Sequence, residues 1–407
     1  MSVEAKSNVQ GRNLVIALII LGTMFFSIGF ALGINSYLIP LLKSQLSISS
    51  AESYLVLAAT FSAFLIFGYP ASFVIAKIGY KRTMALSFLL FAIGFYLYIP
   101  SGNMESLPLF LVASFISGMG NTFLQATVNP YVTILGPIDS AARRMSIMGI
   151  LNKLAWPVAP LFLALIIGKS VDDVRFADTT LPFIIIISVF VLLGVIAFFS
   201  PLPEVKAVGE DEENVDDCPY AAKKTSIWQF PHLLLGILAL FFYVGVETVA
   251  LGTLVDYAET LNLANPEWYA WIAPVGMVAG YIVGIIFIPK YLSQSTALVA
   301  SALVAIAGSL LVVFTPPEIS IFFVVLIALG CALMWPAIWP LAMTDLGKFT
   351  KQGGSLMVVA IVGGALIPTL YGLLKDLFGA QNAYWLAVPL FGYILYYALK
   401  GHKVRTE

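Results

Sequence analysis

Apolar residues do not alternate with polar ones along this chain; they run together in long blocks separated by short polar breaks. Blocks of about 18 or more apolar residues with few charges read as membrane-crossing helices, because roughly 20 residues at about 1.5 Å each span the hydrocarbon core. Twelve runs can be drawn: 14–41, 52–76, 83–100, 107–135, 145–168, 182–200, 230–258, 268–288, 296–314, 319–346, 354–378 and 383–399. Several exceed the minimum length, which predicts tilted or bent helices rather than extra spans. The longest polar break, residues 201–229, carries seven acids and three lysines and divides the runs six and six. It reads as a solvated linker between an N-terminal bundle, 1–200, and a C-terminal bundle, 230–407. Two six-helix bundles around a mid-membrane site is a transporter layout. The expected fold is an all-α membrane protein of twelve transmembrane helices in two pseudo-symmetric bundles.

Polar residues inside the runs recur on every third span. The first carries Thr23, Ser27 and Asn35, with Ala31 at the missing step of a four-residue stripe. The fourth carries Asn121, Gln125 and Asn129, followed at once by Pro130. The seventh has Tyr243 and Glu247, and the tenth Trp335 and Trp339, each pair one helical turn apart. An amide facing lipid would leave donors and acceptors unsatisfied at several kcal/mol each, so these stripes must face protein or water. Two readings follow: a shared chamber, with Pro130 bending or opening the fourth helix beside it, or amides that glue helix to helix. Flat aromatic faces beside a ring of amides suit a sugar, whose C–H faces are apolar and whose hydroxyls need donors and acceptors.

Composition agrees with this solvent. The 407 residues are 60% hydrophobic and 11% charged, against about 25% charged in soluble domains. The net charge of −1 gives no attraction for nucleic acid. With the N-terminus inside, sixteen of the 21 Lys and Arg fall in cytoplasmic segments and only Lys43, Lys169, Arg175 and Lys375 outside, which satisfies the positive-inside rule and predicts both termini in the cytoplasm. The first run is too long for a signal-peptide core and is expected to be retained. Cys218 and Cys331 have no metal-ligand spacing and lie too far apart in topology to bridge.

Lys153 remains, nine residues past Arg144, and Glu247 is seventeen past Phe230, so both lie deep in their spans. Ionisable groups at that depth are costly and default to function. Three readings stand: the two pair across the cavity, or desolvation leaves Lys153 neutral, or they form a structural ion pair between the halves; a Glu247 that titrates near neutrality would carry a coupling proton. The only histidines, His232 and His402, sit at span ends, and no nucleophile or metal cluster appears, so an enzyme is not expected.

Longer strings sharpen the picture. "NPYVTILGP" with the following Arg143–Arg144, "FFYVGVET", "WPAIWPLAMTDLGKFTKQGGSLMV" and "AIVGGALIP" resemble the fucose-galactose-glucose branch of the major facilitator superfamily, most closely its bacterial hexose and N-acetylglucosamine permeases. The resemblance covers most of the chain. It implies the major facilitator fold, alternating access between two rocking bundles, and sugar import across a bacterial inner membrane, usually by cation symport. The implied partners are a small-molecule sugar, a coupling proton or sodium ion and the lipid bilayer, with no cofactor, no metal and no nucleic acid, and a monomer is expected. The polar stripes, the deep charges and the resemblance together make Asn35, Gln125, Asn129, Asn152, Lys153, Tyr243, Glu247, Trp335 and Trp339 the expected substrate positions, with Glu247 and Lys153 as the expected coupling pair.

The match departs from the branch's fucose permeases where they carry acids. Ser36 stands where they have Asp and Gln125 where they have Glu; Gly149 replaces a Gln and Trp335 a Tyr, while Asn152 is retained. Gln125 can bond a sugar but cannot titrate, so proton coupling would fall to Glu247, with sodium coupling or facilitated diffusion otherwise. Ala76 replaces the Asp common in the superfamily's loop after the second span, so a gate built on that acid is absent. The alternatives are a facilitative uniporter or exporter, and a membrane sugar sensor that does not transport. Gly363 and Gly364 are expected to allow close helix contact during the swing.

Overall fold

The computed structural model describes residues 12–48, 50–168, 174–202, 218–264 and 266–405. The acidic stretch of the linker lies outside the described residues, as do Lys6, Lys169 and Lys206. Every regular element among the described residues is helical, as hydrocarbon requires of a backbone that finds no water to bond. The helices are α1 (Arg12–Leu46), α2 (Ser50–Phe67), α3 (Ala71–Asn103), α4 (Leu107–Ile134), α5 (Ala141–Ile167), α6 (Thr180–Phe199), α7 (Pro231–Gly252), α8 (Ile272–Phe287) and α9 (Gln294–Phe314). They continue with α10 (Pro317–Met343, stepped at Leu333), α11 (Gly347–Phe378, with a 3-10 turn at Ala360–Val362) and α12 (380–399).

Nine stretches among the described residues are long and apolar enough to cross a bilayer unaided. The others, α2, α8 and α12, reach crossing length with adjoining pieces. The first eight residues of α3 carry α2 past a break at Gly68–Pro70, a 3-10 turn precedes α8, and α12 joins Ala380–Ala383 to Ala387–Leu399 through a 3-10 turn. The chain then reverses at Gly79, whose φ of 82° and ψ of 169° suit only glycine. Ring contacts place Phe67 beside Phe123 and Tyr80 beside Tyr131, while Tyr98 reaches back to Ser114. The chain therefore runs along α4 before Gly79 and against it afterwards. These twelve spans correspond to the twelve apolar runs of the sequence.

Small residues set the packing inside each bundle. Gly29 and Gly33 of α1 lie against the backbone carbonyls of Asn152 and Trp156 on α5, where any Cβ would collide. Gly245 of α7 is covered by Ile367 of α11, and Gly363 by the backbone of Phe241. Gly363 thus serves the interior of one bundle. Gly364 also faces the other, with Phe61 of α2 in van der Waals range of where its Cβ would be.

The bundles meet from the end where the linker enters up to mid-depth. At that linker end Gln294 opens α9 and reaches across: its Oε1 accepts from the Ala142 N–H at 3.2 Å, and its Nε2 donates to the Ile138 carbonyl at 3.0 Å. Beneath it a small apolar cluster joins Ala142 to Ile288, Ala297 and Leu333. Arg144, counted in the sequence with the surface cations, is 5% exposed. Its guanidinium donates to the carbonyls of Val132, Thr133 and Pro137 at 3.0–3.1 Å and caps the C-terminal end of α4, where helix carbonyls lack partners and a cation is favourable. The C-terminal segment is tied down by Arg405, which pairs with Asp345 at 3.1 Å and lies over the Tyr220 ring. Burial raises the nearby Cys218 thiol from its ordinary value, which leaves it protonated and inert.

Candidate functional site

At mid-depth four helices from both bundles bring charged, amide and aromatic side chains together. Lys153 is the thirteenth residue of α5 and Glu247 the seventeenth of α7. Lys153 Nζ lies 3.0 Å from Glu247 Oε2, and the pair joins the two bundles. The other carboxylate oxygen, Oε1, accepts the Tyr243 hydroxyl at 2.5 Å, an i to i+4 bond along α7. The side chains of Lys153 and Glu247 keep 17% and 9% of their surface, so the pair is close to water but mostly withdrawn from it. Removing such a pair from water is costly, and it persists when the carboxylate's lone pairs are satisfied. Here both oxygens are.

The Tyr243 ring leads to the amides. Its centroid lies 6.2 Å from that of Trp335, which lies 5.6 Å from that of Trp339. Trp335 Nε1 donates across the bundle interface to Asn129 Oδ1 at 3.3 Å. Asn129 Nδ2 donates to the Gln125 carbonyl, and Gln125 Nε2 to Asn121 Oδ1, both at 2.9 Å. A chain of contacts therefore runs from Lys153 through Glu247, Tyr243, Trp335, Asn129 and Gln125 to Asn121. α4 remains helical past Pro130 to Ile134. The local opening anticipated there is not seen: the proline ring instead packs on Gly354 of α11.

Other anticipated site residues are placed elsewhere. Asn35 is 1% exposed and spends both ends of its amide inside one bundle, donating to Thr60 Oγ1 at 2.9 Å and accepting from the Tyr98 hydroxyl at 2.8 Å. Tyr98 also meets Ser114 Oγ at 2.9 Å, so Asn35 ties four helices together. Asn152 turns from the interface to α1, where its Nδ2 donates to the Phe25 carbonyl at 3.0 Å. Thr23 and Ser27 return their hydroxyls to carbonyls of their own helix. Trp339 is fully buried behind Trp335, and its indole N–H has no hydrogen-bond partner among the described residues.

Sequence reasoning missed Tyr281 on α8. It is a single phenol in an apolar run, with no polar neighbour one turn away to mark it. Its ring lies against Gly149 of α5, one turn before Lys153, and its hydroxyl sits in the field of Tyr243 and Glu247.

Two bundles of six membrane helices, closed together at one end and joined at mid-depth by polar groups from both, define a membrane transporter of the alternating-access type. The sequence matches the Major Facilitator Superfamily over residues 20–368, and the chain belongs to that family. It is 34% identical to a glucose/galactose transporter of Brucella abortus over 405 residues, 96% of this chain and 95% of that protein. It is 24% identical to the L-fucose-proton symporter of Escherichia coli, covering 91% of this chain and 89% of that one. The fold superposes on the crystal structure of the transporter FucP in its outward conformation with a TM-score of 0.82, at 23% identity, covering 95% and 99% of the two chains. The protein is a multi-pass membrane transporter and not an enzyme.

Proposed function

We propose that this transporter carries a hexose or amino sugar into a bacterial cell across the inner membrane by cation-coupled alternating access. The reading makes residues 1–200 and 230–407 the two moving bundles and 201–229 the cytoplasmic linker. Both termini then lie in the cytoplasm, and a monomer suffices, since the site is complete within one chain. The observation that carries the reading is the Lys153–Glu247 pair at the bundle interface, bonded to Tyr243 beside Trp335. The names of its relatives, a glucose/galactose transporter and an L-fucose-proton symporter, support the substrate class.

The linker end is closed, so sugar enters from the opposite end. The Trp335 ring offers a face for the sugar's C–H bonds, while Gln125 and Asn129 offer amides to its hydroxyls. Asn129 can trade its long 3.3 Å bond with Trp335 for a sugar hydroxyl. A proton reaching Glu247 removes its charge and releases Lys153. That cancels an ion pair between the bundles. A ligand shifts a conformational equilibrium only by its differential affinity for the two states, and an ion pair present in one state supplies such a difference. Sodium is the alternative coupling ion.

One observation favours a facilitator instead: Gln125, central in the amide chain, cannot titrate. The deciding experiment is uptake into proteoliposomes against a panel of hexoses and amino sugars, with pH and sodium gradients imposed separately. Accumulation driven by one gradient is expected. Equilibration without accumulation would establish the facilitator, and binding without uptake a sensor.

A further inference from the structure

One stripe of α5 faces the C-terminal bundle along its length: Ala142, Ser146, Gly149 and Lys153, at spacings of four, three and four. α8 runs against it in the opposite sense. Ala142 meets Ile288 in the apolar cluster of the linker end, the space of a Cβ at Gly284 falls 3.0 Å from Ser146 Oγ, and Tyr281 lies on Gly149. Lys153 then meets Glu247. Tyr281 is thus the last contact of this seam before the charged pair.

The fit at Gly149 is specific. A Cβ added there would lie 2.6 and 2.7 Å from ring carbons of Tyr281 and 3.0 Å from its hydroxyl. The ring fills the volume that any other residue at 149 would claim, and only 2% of Tyr281 is exposed. Its hydroxyl borders that of Tyr243, whose own bond runs on to Glu247. A second phenol therefore stands behind the Tyr243–Glu247–Lys153 unit.

We propose that Tyr281, lodged on Gly149, is a positioning residue of the transport site and its floor on the linker side. The ring fixes the bundles in register beneath the Lys153–Glu247 pair, and the hydroxyl orients the Tyr243–Glu247 unit that meets the ligand. Release toward the linker end requires the ring to leave Gly149. That the ligand is a sugar rests on the function proposed above; the contact and its closing role do not.

The test uses the full-length protein in proteoliposomes. Tyr281→Phe keeps the ring and removes the hydroxyl: KM for glucose or galactose is expected to rise about tenfold with Vmax little changed. For the floor, Ser146→Cys is a reporter one turn below Gly149, buried in this state, and is labelled with an impermeant maleimide from the linker side. Gly149→Ala is expected to increase its labelling several-fold, and to add nothing once Tyr281→Ala has removed the ring. An unchanged KM in Tyr281→Phe would overturn the positioning role, and additive labelling by Gly149→Ala and Tyr281→Ala would overturn the floor. If the unmutated protein carried no hexose, the sugar reading would fall while labelling still decided the contact.

Discussion

Lys153 and Glu247, from helices of different bundles, meet at 3.0 Å with a third group, the Tyr243 hydroxyl, on the free carboxylate oxygen. Removing one partner of such a pair leaves a withdrawn charge alone, at about 3–5 kcal/mol, whereas removing both is far milder. Lys153→Met alone should lower thermal stability in detergent, and Lys153→Met with Glu247→Gln should recover most of it. A double variant no more stable than the single would show the pair to be independent of the fold's stability.

Glu247→Gln keeps the shape of the site and removes its charge. Sugar accumulation against a gradient should vanish while counterflow exchange continues, because exchange needs no net proton movement. Loss of both would make Glu247 a substrate or structural group rather than a coupling one.

Gln125→Ala leaves Asn121 Oδ1 without its donor and takes an amide from the chain beside Trp335. Uptake should fall by most of its value with expression unchanged. Undiminished uptake would place Gln125 outside the ligand's reach.

Trp335→Phe keeps a flat face but loses the N–H to Asn129, whereas Trp335→Ala loses both. The first should cost little, the bond being long. The second should raise KM about tenfold, the equivalent of about 1.4 kcal/mol. Equal KM values for the two would remove the stacking role.

Asn35→Ala should behave differently. The amide holds Thr60 and Tyr98 inside one bundle, so its loss should cost roughly 1–2 kcal/mol of stability. KM should stay as it was. A change in KM without a fall in thermal midpoint would return Asn35 to the site.

The spans were legible because hydropathy reports the solvent, and hydrocarbon leaves a backbone little choice but helix. The polar stripes were legible as inward-facing, but their partners were not. Gln125 and Asn35 look alike in the sequence, each an amide in a four-residue stripe. One joins a chain that reaches the bundle interface, and the other is consumed by Thr60 and Tyr98. What separates them is the rotation of α1 and α4 about their axes, which depends on residues such as Gly29 and Gly118 that let neighbouring helices approach. Depth in the sequence marked Lys153 and Glu247 as a pair to watch, and the fold brings them together. Tyr281 escaped because its role depends on an absence in another helix, the missing side chain of Gly149.

The Gln294 clasp holds the closed end through an uncharged amide and two backbone groups. A contact of that kind has no charge for dissolved salt to screen. The electrical potential across the bilayer likewise has nothing to pull on there, at about 2.3 kcal/mol per elementary charge per 100 mV. Voltage can act on this end only through neighbouring charges such as Arg144 and the Lys153–Glu247 pair, so any voltage dependence of its opening would report those groups rather than the clasp.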